Sequence, residues 1–230
     1  MLKLHITNKN YSSWSLRPWV LMRAAEIPFT EELHPFPASG AGELFRQFAP
    51  NSKVPCLDDQ GLVIWDSLAI TEYLAESYPH IWPQDKTARA WARSACAEMH
   101  SGFSALRTQC GMSCGHRIAM HQVDTDLERD LTRIDELWCD GLKRFNGPYL
   151  AGAAFSAADA FFAPVALRIQ TYNLPLSNAA RIYQQHLLQH KAVQAWYDAA
   201  LQETWREPAH EQEVLSTGKL LADLRIPFGS

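Results

Sequence analysis

The chain has 230 residues, 47% of them hydrophobic and 20% charged, with a formal net charge of −4. That length can bury a sizeable core and accommodates two modest domains. The charge gives no electrostatic case for nucleic acid or an anionic membrane surface, and no apolar run approaches the ~20 residues that span a bilayer.

Residues 1–7 carry no basic-then-apolar leader. The five cysteines, Cys56, Cys96, Cys110, Cys114 and Cys139, are odd in number and show no framework of paired spacings. A reducing compartment, hence the cytoplasm, is the expectation. Cys110 and Cys114 have His116 and His121 nearby, but the spacing matches no strong zinc pattern, and no metal is expected.

In chain order, residues 2–7 alternate apolar and polar, the period of a half-buried strand. Residues 8–13 are polar and turn-like. A helix is expected from about Ser15, with Leu16, Trp19, Val20 and Ala24 on its apolar face, ended by Ile27-Pro28. Residues 29–34 read as a second strand, which implies a right-handed crossover and parallel pairing. A loop over 35–42 and a short helix over 43–48 follow. Residues 57–65 form two short apolar strands around Asp-Asp-Gln-Gly, a hairpin turn. A helix over 67–78 completes a β-α-β-α-β-β-α unit over residues 1–78.

Residues 79–86 read as a linker with two prolines. Beyond it, over 87–230, no convincing strand is evident and an all-helical bundle is expected, with helices over 87–109, 123–145, 156–172, 178–190 and 191–205. The tail from Arg206 is expected to wrap back over the surface.

Two stretches bear on function. Val54-Pro55 opens a strand, and a proline there donates nothing to the ladder. A cis bond would turn the Val54 backbone outward to pair with an extended peptide. Asp66-Ser67 stands where a strand turns into a helix, and short oxygens there satisfy the first free N–H groups. That helix N-terminus favours a carboxylate, and Asp66 suits an ammonium group. A peptide with a free amine, a free carboxylate and an extended backbone fits all three features, and glutathione has these parts.

Ser12-Ser13 before Arg17, Lys53-Val54-Pro55, Asp66-Ser67 and Ser156-Ala157-Ala158-Asp159 together resemble the glutathione transferase family over nearly the full length. The resemblance implies a thioredoxin-like first domain, a helical second domain, glutathione as co-substrate, a small electrophile as second substrate and a homodimer. It assigns glutathione binding to Lys53, Val54, Pro55, Asp66 and Ser67, with Lys53 at the glycine carboxylate. The thiol-activating hydroxyl falls on Ser13 or Ser12. A free thiol has pKa ~8.5, and a donated hydrogen bond and a helix N-terminus both lower it. Tyr11 is the weaker third candidate. Trp14, His100, Phe103 and Arg107, with Trp91 and Met112, are expected to line the second-substrate pocket, and His34 or Phe36 to approach the glycine end.

The Ser-Ser pair also resembles the zeta class, whose motif has a cysteine where this chain has Trp14. The resemblance implies a thiolate that attacks an electrophilic carbon or a peroxide; a zeta-like isomerase acting on maleylacetoacetate, or a non-catalytic binding protein of the same fold, are the alternatives. Ser156 and Asp159 read as a capping box that starts a buried helix. Cys56 reads as an inert strand residue.

Overall fold

The computed structural model describes residues 1–37 and 40–225. Residues 38–39 of the loop expected over 35–42, and 226–230 of the tail, lie outside the described residues.

The first part follows the expected order: β1 (Leu2–Ile6), α1 (Ser13–Ala24), β2 (Phe29–Leu33), α2 (Ala41–Arg46), β3 (Cys56–Asp59), β4 (Leu62–Trp65) and α3 (Ser67–Ser77). The sheet runs β2-β1-β3-β4. β1 pairs parallel with β2, as a strand–helix–strand crossover requires, and antiparallel with β3; β3 and β4 form the hairpin. Gln60 and Gly61 turn that hairpin with φ of +54° and +96°, the left-handed pair a two-residue turn needs. Leu4, Ile6 and Leu57 of the sheet and Leu16, Val20 and Ile70 of the helices are wholly buried, each worth ~1.5–3 kcal/mol on transfer from water.

After a 3-10 turn (Pro79–Ile81), the second part is helical: α4 (Lys86–Ser101), α5 (Ser104–Gln109), α6 (Thr125–Phe145), α7 (Ala157–Tyr172), α8 (Asn178–Leu188), α9 (Lys191–Leu201) and α10 (Pro208–Ser216). α7 is the hub: all but one of its residues are buried. Its start is fixed by Asp159, which accepts Ser156 N–H and Oγ–H at 2.9 and 3.1 Å, Leu150 N–H at 3.0 Å and the Tyr183 hydroxyl at 2.9 Å.

Two features depart from the sequence reading. The helix expected over 87–109 breaks at Gly102-Phe103. A Cβ on Gly102 would stand 2.9 Å from the Glu98 carbonyl oxygen, and Phe103 takes φ +59°. The carbonyls freed at the end of α4 are taken by Arg107, which donates to Met99, His100 and Gly102. Secondly, the helical part contains strands: β5 (His116–Met120) pairs antiparallel with β6 (Gly218–Asp223). β5 packs against α7, and β6 follows α10. The tail thus returns as a strap. Arg225 anchors it, its guanidinium bonded to Glu211, Asp223, Tyr11 and His116. Gly115 leaves room for the Arg225 side chain, which a Cβ would strike. Among the described residues no helix is long and apolar enough to cross a membrane.

Candidate functional site

The loop over 8–13 delivers two adjacent serines to the start of α1, and the fold gives them different tasks. Ser12 is the N-cap. Its Oγ accepts the Ser15 N–H at 3.3 Å and donates to Ser15 Oγ at 2.8 Å, so its hydroxyl is occupied within the helix. Ser13 Oγ accepts a hydrogen bond from Arg168 Nη2 at 3.3 Å. That role leaves the Ser13 hydroxyl proton to be donated elsewhere, and Ser13 lines a cavity of about 440 Å³. Tyr11, between loop and strap, donates its hydroxyl to Glu211 at 2.5 Å and accepts from Arg225 at 3.1 Å. Burial, then the Glu211 carboxylate, pushes the phenol up to about 12.

The loop itself is clamped from the second part of the chain. Glu203 accepts the backbone N–H groups of Lys9 and Asn10 at 2.6 and 3.1 Å, Trp196 Nε1 donates to the Lys9 carbonyl at 2.9 Å, and Asn10 Oδ1 accepts Gly115 N–H at 3.0 Å. The serines are thus positioned by residues about a hundred to two hundred positions away.

Three arginines converge behind them. Arg168, in the apolar α7, donates Nε to the Cys110 carbonyl at 2.7 Å as well as reaching Ser13. Burial, with the charge of Arg107, pushes it down to about 10. Arg17, 1% exposed, donates to Ser67 Oγ at 3.5 Å and to the Met99 carbonyl at 3.4 Å. Burial first, then Arg107 and Arg168, pushes it down to about 9. All remain cationic at neutral pH. The guanidinium carbons of Arg17 and Arg107 stand 4.3 and 4.8 Å from the Trp14 ring centroid, contacts that stabilise both cation and ring.

A second cavity of about 240 Å³ adjoins the first, with Trp14, Lys53 and Val54 walling both. Pro55, Asp66 and Ser67 complete it, and the Val54-Pro55 bond is cis. Asp66 caps α3, its Oδ1 accepting Leu68 N–H at 2.8 Å. It does so at φ +77°, a conformation costing ~1–3 kcal/mol that neighbouring structure must hold in place. Its other oxygen lies 3.5 Å from His100 Nε2.

The structure therefore brings Ser13, Ser12, Lys53, Val54, Pro55, Asp66 and Ser67 around one connected cleft. The residues expected at the second-substrate pocket divide. Trp14, Arg107 and Met112 line the larger cavity, and so does Phe36, the residue expected near the glycine end together with His34. His100 sits behind Trp14, edge-on at 5.3 Å. Phe103 is buried in the core at the turn between α4 and α5. Trp91 is held by Asp140 on α6 at 2.8 Å. His34 stacks on His5 and Phe48 beside the sheet. The break at Gly102 redirects the chain, so a straight-helix register carried on from α4 cannot place Phe103 and Arg107. Cys56 is buried and its thiol is pushed up to about 11, chiefly by burial. Among the described residues no group of three or more His, Cys, Asp or Glu is arranged to hold a metal ion.

Missing from the sequence reading were Arg168, Glu203 and the strap residues His210 and Glu213, which also line the larger cavity. A lone arginine in the apolar stretch Ala163–Ile169 was a legible sign of a buried, committed charge. Glu207-Pro208 was a legible helix start.

A family model described as "Glutathione S-transferase, N-terminal domain" matches residues 11–77, and "Glutathione S-transferase, C-terminal domain" matches 89–199. The chain is 26% identical over 181 residues to the Caenorhabditis elegans protein named "Probable maleylacetoacetate isomerase", covering 72% of this chain and 78% of that one. It is 32% identical over 106 residues to rat "Glutathione S-transferase theta-1", covering 44% and 42%. Among solved structures, the theta class glutathione S-transferase of Xanthomonas axonopodis pv. citri with glutathione bound superimposes with a TM-score of 0.64 at 21% identity, covering 85% of this chain and 96% of that one. With both family models matched in order along it, the chain belongs to the glutathione S-transferase family.

Proposed function

We propose that the protein is a glutathione transferase in which Ser13 stabilises the glutathione thiolate and Ser12 does not. The observation that carries this is the division of the two hydroxyls: Ser12 is spent on the helix cap, and Ser13 accepts from Arg168 with its proton left to give. Donation to a developing thiolate, the N-terminus of α1 and the Arg168 charge behind the hydroxyl all favour the anion.

The rest of the tripeptide follows from the smaller cavity. Asp66 pairs with the γ-glutamyl ammonium. Ser67 and the first N–H groups of α3 hold the adjoining carboxylate, the Val54 backbone pairs with the cysteinyl residue, and Lys53 meets the glycine carboxylate. The thiolate faces the larger cavity, where a small electrophilic carbon is attacked. A homodimer is part of this reading.

Glutathione titration by calorimetry, with thiolate absorbance followed across pH, tests it. Binding with a thiol pKa below the free value is expected; no binding at millimolar glutathione would overturn the site.

One observation favours a second reading. Arg107 and Arg168 both face the larger cavity, and among the described residues neither forms an ion pair with a carboxylate. A cationic wall suits a second substrate bearing a carboxylate, as the isomerase of the maleylacetoacetate type would require. Turnover of that substrate without net glutathione consumption is the expected outcome for this reading, and its absence would leave conjugation alone.

A further inference from the structure

We propose that His210 and Glu207, on the C-terminal strap, form a general acid–base pair that serves addition of glutathione to activated carbon–carbon double bonds; this rests on the transferase reading above.

The pair is built by the start of α10. Glu207 is the N-cap, and its Oε2 accepts both the backbone N–H of His210 and the ring Nδ1–H, each at 2.7 Å. Partial burial works to raise the Glu207 carboxyl, but the two bonds from His210 outweigh it and hold the group below its ordinary range. A carboxylate only accepts, so Nδ1 carries a proton and Nε2 is left to exchange one. The imidazole stacks on Tyr11 at 5.2 Å and on Phe36 at 5.1 Å. Tyr11 is itself bonded to Glu211 on α10 and to Arg225, so strap, ring and serine loop are held as one unit. His210 lines the same cavity as Ser13, Lys53 and Val54.

Of the groups around the sulfur, Ser13 donates and the arginines have no lone pair to offer, so the acceptors lining the cavity are the strap residues His210 and Glu213, and only His210 is an imidazole that can both take a proton and return it. His210 Nε2 fills that role. It takes the glutathione thiol proton, directly or through one water. The sulfur then forms a bond to the β-carbon of the alkene with its own electron pair. The π pair moves toward the activating carbonyl, and Nε2–H returns the proton to the α-carbon. Sulfur and hydrogen are added across the double bond, nothing is released, and the imidazole ends as it began. Displacement of an aryl halide shares the removal of the thiol proton but needs no proton delivered to carbon, so loss of the pair falls harder on addition than on displacement.

The experiment compares an α,β-unsaturated ketone with an aryl halide, both with glutathione, in full-length wild type, His210→Gln, His210→Ala and Glu207→Gln. For His210→Gln the ratio of addition to displacement is expected to fall by roughly 10²-fold, with loss of the pH-dependent limb of kcat for addition. Added imidazole is expected to restore addition in His210→Ala. Glu207→Gln, acting through the ring, is expected to lower kcat for addition and to displace the same limb. An equal loss of both reactions, or no loss of either, would overturn the acid–base role while leaving the transferase reading intact. A wild type that turns over neither electrophile with glutathione would overturn both.

Discussion

In the proposed site, replacing Ser13 with alanine removes one hydrogen bond to the thiolate and nothing from the helix cap. A hydrogen bond to a charged group contributes ~1.5–3 kcal/mol, which is about one to two pKa units. The bound thiol of the wild type is expected below the ~8.5 of a free thiol, and that of Ser13→Ala about one to two pKa units above the wild-type value, with the α1 N-terminus and Arg168 still acting on it. The thiolate fraction at pH 7 then falls roughly tenfold, and kcat/KM with it, while at pH 9 the deficit nearly vanishes. Ser12→Ala makes the opposite pattern. Its Oγ accepts the Ser15 N–H, so its loss costs about 1 kcal/mol of stability, a fall in Tm of roughly 2–4 °C for a chain of this size. Thiolate absorbance of the glutathione complex across pH, with thermal unfolding of the same samples, reads both effects. A thiol pKa unchanged in Ser13→Ala, or raised in Ser12→Ala instead, would refute the assignment.

Asp66→Asn keeps a good cap and loses the charge proposed to meet the ligand ammonium. With the side chain partly solvated, glutathione Kd is expected to rise about fivefold to tenfold with Tm little changed, and calorimetry with thermal unfolding checks it. Asp159→Ala leaves four buried donors without their acceptor. At ~1–3 kcal/mol for each orphaned group, the loss is expected to reach about 3 kcal/mol or more; a chemical-denaturation midpoint near wild type would contradict it. The strap is expected to detach in acid. Partial burial works to raise Asp223 and Glu211, and the bonds from Arg225 outweigh it, holding Asp223 down to about 2 and Glu211 below its ordinary range. These depressed carboxyls contribute stability that is present above the unfolded value of ~4 and is lost as pH falls toward 2. Amides of β6 should therefore lose exchange protection in that window before those of α7. Simultaneous loss along the chain would count against a separately anchored strap.

Local chemistry determined much of this protein. The period of residues 2–7, the Asp-Gln-Gly turn, the Asp66 cap and the Ser156–Asp159 box are contacts between residues within a few positions of one another. A single sequence therefore carries them, and with them the β-α-β-α-β-β-α order and the helical second half. The motif pairs around Val54-Pro55 and Asp66-Ser67 were legible for the same reason. The strands β5 and β6 were not: their residues pair across about a hundred positions, and a two-stranded ribbon has no period strong enough to announce itself without the helix it packs on. Neither could the sequence separate Ser12 from Ser13. Both are serines before a helix, and what distinguishes them is a guanidinium 155 residues away, brought in because α7 threads the core beside α1. His210 belongs to the same category: its partner Glu207 is local, but its place in the cleft depends on Arg225 folding the tail back over Tyr11. Caps, turns and periods are decided by neighbours in sequence; which hydroxyl is free, which charge stands behind it and which ring closes the cavity are decided by neighbours in space.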